Sequence, residues 1–147
     1  MRNLILLLAL TGTAFWTSCG GNAPTELEDQ AWEKMMEVHD EVMPKMAEMN
    51  RVGRELKALS KDMKEKAKLE QVNKALKDLE AASEGMMAWM GTLQQPKKLR
   101  EEKSHEEIMA YLKAETQKIA QVKQDMLGSL EQGQALLEAL QAEATAE

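Results

Sequence analysis

The chain has 147 residues, with Lys+Arg 19 against Asp+Glu 25, one Cys, 12 Met and only 3% aromatics. That length supports one small domain, and the composition excludes a disulfide scaffold, a Cys-ligated zinc module and a basic nucleic-acid binder. Three Pro and eight Gly are too few to punctuate an all-β protein, whereas the strong helix formers Ala, Glu, Lys, Leu, Met and Gln dominate.

Met1-Arg2-Asn3 is a short positive segment, and the apolar run that opens at Leu4 reaches Trp16. A membrane span needs about 18–20 apolar residues, so residues 1–18 read as a secretory signal peptide and not as a transmembrane helix. The run ends in Thr17-Ser18-Cys19-Gly20-Gly21. A small residue before a lone cysteine at this point resembles the lipobox of bacterial lipoproteins, with Trp16 and Thr17 departing from the residues most usual there. The resemblance implies cleavage before Cys19, a diacylglycerol on its thiol and an acylated amine. Such chains, at ~0.8 kcal/mol per buried CH2, hold a protein firmly on a membrane. Gly20 in place of Asp after the cysteine is similar to the outer-membrane sorting pattern of Gram-negative lipoproteins. The implied location is the cell envelope, facing the periplasm, with a mature net charge of −7 once Arg2 is removed from a chain of −6.

Residues 19–25, with Gly20, Gly21 and Pro24, read as a flexible tether. Thr25 precedes Glu26, Glu28 and Asp29, an acidic first turn suited to a helix N-terminus, and a helical domain is expected over 26–141. Its first seam runs Trp32, Met35, His39, Val42, Met46, Met49, Val52, Leu56, Leu59, Met63, in steps of three and four. Pro44 deprives the Asp40 carbonyl of its helical partner, which predicts one helix kinked at Pro44, or, as the alternative, a split at Met43. The charged stretch Ser60 to Lys68 is where the chain turns back, with the turn centred near residue 66. A second seam follows at Leu69, Val72, Leu76, Leu79, Ser83, Met86, Met90 and Leu93, closed by Gly91 in a left-handed conformation. Gln94 to Arg100 is a connection. Ser104 and Glu107 fit a capping box, opening a third helix with Ile108, Leu112, Ile119, Val122, Met126, Leu130, Leu137 and Leu140. Gly128 and Gly133 weaken that helix by about 1 kcal/mol each, and 142–147 is expected to be a loose tail. The predicted fold is all-α: a three-helix antiparallel bundle or elongated helical hairpin with coiled-coil-like seams.

Folded on these seams, one half of the bundle collects both histidines and most methionines. His39, Met35, Met36, Met43, Met86, Met90 and His105 are the candidate metal ligands, since thioether and imidazole suit Cu(I). The competing and preferred reading is that flexible methionines fill the core around the proline kink. A third is a Met-rich groove for partner helices. Lys97, Lys98, Arg100 and Lys103 fall at the end where Cys19 emerges, and the tether to Thr25 spans at most about 20 Å. They are candidates for contact with anionic headgroups, at about 1 kcal/mol per charge. No dinucleotide fingerprint, phosphate loop or nucleophile elbow is present. No enzyme activity, cofactor, small-molecule ligand or nucleic acid is expected.

The stretches Met35-to-Met46, Gly85-to-Met90 and Ser104-to-Leu112 are similar to segments of small uncharacterised helical lipoproteins of Gram-negative bacteria, some labelled "viral A-type inclusion protein". That resemblance implies a helical fold and an envelope location and carries no activity. The expected role is a lipid-anchored structural or protein-interaction module with an envelope protein partner. A periplasmic copper-binding lipoprotein using His39 and the Met cluster is the alternative.

Overall fold

Apolar residues three and four apart make amphipathic rods, and burying their stripes against one another organises residues 23–146, the part of the chain that the computed structural model describes. The elements are α1 Pro24–Val42, α2 Lys45–Ser60, α3 Lys66–Thr92, α4 Pro96–Leu99 and α5 His105–Ala146. Among the described residues all regular structure is helical, as expected. The signal segment 1–18 and Cys19 lie outside them. No helix among the described residues is long and apolar enough to cross a membrane.

α1 and α2 are the two halves of one bent arm. Met43 (φ −53°, ψ −40°) and Pro44 (φ −61°, ψ −24°) both keep helical backbone angles. The ring of Pro44 offers no N–H, so hydrogen bonding shifts register: the Met46 and Ala47 amides donate back only three residues, to Met43 and Pro44. The bend therefore falls where the sequence predicts it. The arm begins earlier than expected, at Pro24, because proline at the first helical position lacks only an N–H that would be unpaired anyway. Thr25 is thus inside the helix and not at the end of a tether.

The chain reverses over residues 61–65, a few residues before the expected centre near 66. α3 then buries Val72, Ala75, Leu79, Ala82, Met86 and Trp89. This corrects the predicted seam by one position at three places: Ala75 and Ala82 are buried beside half-buried Leu76 and Ser83, and at its end Trp89 is 5% exposed and inside, whereas Met90 is 39% exposed. Strict steps of three and four run through Trp89, and a large ring gains more from burial than the adjacent thioether does. Gly91 does not close the helix in a left-handed conformation, since no described glycine has positive φ. The helix runs on to Thr92, and extended Leu93 ends it.

The connection holds a short helix, α4, with Pro96 at its start and both Pro96 and Leu99 buried. α5 follows as a single rod of 42 residues, about 63 Å at 1.5 Å per residue. It packs along α1, α2 and α3, while α2 also packs on α3 and α4 touches α1. Pairings in rising order (Glu28 with His105, Glu41 with Lys123, Glu48 with Gln134) show that the bent arm and α5 run parallel. Lys68 with Glu143 and Gln94 with Tyr111 show α3 running against α5. The architecture is an up-down-up three-arm bundle with α5 as its spine. Residues expected as a loose tail are helical as far as Ala146, and Glu143 is tied to Lys68.

Candidate functional site

Two regions concentrate the residues singled out by the sequence. The first is the end where the chain enters α1. Glu28 sits seven residues before buried Met35, hence on the same inward stripe, and is itself only 2% exposed. A buried carboxylate needs partners, and α4 and α5 supply them. Arg100 Nε donates to Glu28 Oε2 at 2.5 Å, and His105 Nδ1 lies 2.8 Å from Glu28 Oε1. Arg100 Nη2 also donates to Asp29 Oδ1 at 2.5 Å and to the Thr25 carbonyl at 3.1 Å. Burial by itself pushes the Glu28 carboxyl upward, but the hydrogen bonds from Arg100 and then His105 outweigh it and hold the group below the ordinary carboxylate value. The same contacts raise Arg100.

This knot splits the predicted basic group. Lys97, Lys98 and Lys103 are exposed on and just after α4. Arg100 is not available for headgroups, because its guanidinium is committed to Glu28, Asp29 and the α1 backbone. His105 likewise belongs to this knot, not to the methionine region. Eleven residues of α1 separate Glu28, its partner, from His39, about 16 Å along the axis. The predicted capping box forms behind it: Glu107 Oε2 accepts from the Ser104 amide at 2.8 Å, and Ser104 Oγ accepts from the Glu107 amide at 3.3 Å. Hydrogen bonding from the Ser104 amide first, and from the Ser104 side chain second, holds the Glu107 carboxyl below its ordinary value.

The second region surrounds the bend at Pro44. Met35, Met49 and Met86 are core residues at 0–2% exposure. Met36, Met43, Met46 and Met109 are half-buried against that core. Met87 and Met90 are exposed at 55% and 39%. The rings of His39 and Trp89 face each other with centroids 5.9 Å apart and planes inclined by 32°. His39 Nδ1 lies 2.8 Å from Asp40 Oδ1, while its Nε2 is buried without a partner. Most of these methionines are therefore buried or half-buried against the core. Among the described residues no group of three or more His, Cys, Asp or Glu side chains is arranged to hold a metal ion.

Three functional-looking residues escaped the sequence reading. Glu28 and Glu115 occupy inward stripe positions, Glu115 between Leu112 and Ile119 at 4% exposure. Trp89 sits one place from the residue assigned to the seam. The available signal was the same in each case: strict heptad counting from neighbouring core residues. Glu115 Oε1 accepts from Lys118 Nζ at 2.7 Å, and that bond raises the lysine.

No protein-family model matches this chain, and no curated protein or solved structure matches it either.

Proposed function

We propose that the chain is a lipid-anchored helical module of the cell envelope, with a structural or protein-interaction role and no catalytic step. The lipobox-like Thr17-Ser18-Cys19 at the end of the apolar run from Leu4 carries the proposal. Geometry at the entry end supports it. Pro24 already opens the bundle, so an acylated Cys19 lies within about 18 Å of α1 at ~3.6 Å per residue. The Glu28–Arg100 knot fastens α4 to this same end, so exposed Lys97, Lys98 and Lys103 lie at the end where α1 begins. A periplasm-facing outer-membrane location follows from Gly20 by the sorting resemblance. The partner is a protein of the envelope, and the half-exposed methionines near the bend are the face offered to it.

Metabolic labelling with radioactive palmitate tests the anchor. Label on the wild-type chain, lost in Cys19→Ser, is the expected result. An unlabelled wild-type chain, or one equally labelled after Cys19→Ser, removes the proposal. Cross-linking in cells from Met87 and Met90 replaced by a photoreactive residue then identifies the partner.

A further inference from the structure

Three buried side-chain polar atoms among the described residues have no hydrogen-bond partner: His39 Nε2, Trp89 Nε1 and Glu115 Oε2. A buried polar atom left without a partner is costly, so the unpartnered imidazole nitrogen among them calls for an occupant. They belong to one stretch of the bundle. His39 and Trp89 are in ring contact. Tyr111 on α5 meets Gln94, just past the end of α3, so Glu115, one turn further along antiparallel α5, lies at about the level of Trp89.

His39 is set up as a ligand. Donating its Nδ1 proton to Asp40 at 2.8 Å leaves a free lone pair on Nε2. A carboxylate on the far nitrogen is the arrangement that orients metal-binding histidines and raises their basicity. Met35 and Met43 stand one turn before and after His39 on its own face, and the Met43 amide bonds the His39 carbonyl at 2.8 Å. Across the gap, Met86 and Met90 flank Trp89 along α3. Met35 and Met86 are wholly buried, whereas Met90 at 39% exposure opens to solvent.

We propose that His39 Nε2, thioethers drawn from Met35, Met43, Met86 and Met90, and the π face of Trp89 form a site for one soft monovalent cation, Cu(I). Neutral sulfur and imidazole ligands match Cu(I) and not a hard divalent ion. The indole face adds attraction for a cation within about 6 Å, and the Asp40 carboxylate on the His39 ring offsets the buried charge. Met90 stands at the mouth. This site is independent of the lipid anchor and goes beyond the envelope role.

The test uses the full chain carrying Cys19→Ser, so that no thiol competes, in mild detergent. Ag(I), a redox-inert stand-in, is titrated first and Cu(I) under reductant second. One equivalent should bind and quench tryptophan emission, the quenching persisting in Trp32→Phe and vanishing in Trp89→Phe. Met43→Leu with Met90→Leu nearly conserves volume, so packing survives while the thioethers are lost. That double variant should keep its melting temperature and lose at least about tenfold in affinity, the smallest loss seen even for supporting residues of metal sites. His39→Gln should lose at least as much. Absence of a bound equivalent, or unchanged affinity in the Met-to-Leu or His39→Gln proteins, overturns the proposal and leaves the methionines as packing alone.

Discussion

At the residue scale, the carboxylate of Glu28 decides how the entry end holds together. Side chains from three elements converge on or beside it, and a charge at 2% exposure survives only because Arg100 and His105 meet both of its oxygens. Removing Arg100 leaves that charge uncompensated. Arg100→Ala is expected to cost about 3 kcal/mol, at the lower end for a broken buried pair because Arg100 keeps 29% exposure. Urea unfolding at pH 7 measures it. Glu28→Leu in the same background should recover much of the loss, since the stranded charge is gone. The pH dependence has a fixed sign. The folded Glu28 carboxyl lies below its ordinary value of 4.5, so its stabilisation is complete above that value and is lost as pH falls through the folded one. Glu107, held low by the Ser104 cap, acts in the same direction. Thermal melts between pH 7 and pH 3 should fall steeply below about pH 4.5 in the wild type and less steeply in Glu28→Gln.

At the element scale, α5 shows how neighbours decide the meaning of one residue type. Gly128 and Gly133 carry the same intrinsic penalty of about 1 kcal/mol relative to Ala. A Cβ at Gly128 meets nothing within 4 Å, whereas one at Gly133 comes 3.1 Å from Val52 Cγ1 and 3.2 Å from Leu79 Cδ1. At Gly133 the spine lies against side chains of both α2 and α3. Gly128→Ala should therefore stabilise by about 1 kcal/mol, and Gly133→Ala should fall short of it by at least about that amount through overpacking. Equal gains in paired denaturant melts would contradict the close approach. α4 shows the reverse relation, in which a connection becomes an element. Its four residues are too few to be helical alone, and burial of Pro96 and Leu99 with the Arg100 knot holds them. Reading Gln94 to Arg100 as plain loop missed this, because its period is too short to register in sequence.

At the scale of the whole molecule, the bundle has distinct ends. One carries the chain entry, α4 and its lysines; the other carries the reversal at residues 61–65 and the Lys68–Glu143 link. Polarity of this kind suits a protein fixed at one end. Replacing Lys97, Lys98 and Lys103 by Gln should weaken association of unlipidated protein with anionic vesicles several-fold at low salt, with the difference shrinking as salt rises. Arg100 must stay in that experiment, since its loss would perturb the fold. Equal binding by both proteins would show that the lysines do not face the membrane. The same polarity separates the two histidines. Sequence spacing placed them at one level, but the spine's parallel course beside α1 pairs His105 with Glu28, far from His39.

The sequence by itself determined the helical class, the bend at Pro44, the capping box at Ser104 and most of the buried stripe. Each follows from local rules: period, a missing N–H, a side chain reaching its own backbone. It also supplied the lipobox-like cysteine on which the envelope reading rests. Only the tertiary structure decided which charges are taken. It also decided that Trp89, not Met90, lies inside, and that α4 exists. Those depend on contacts between residues some seventy positions apart, as between Glu28 and Arg100. Apolar periodicity shows that a face is buried but not which helix covers it, and only docking the rods chooses the partner.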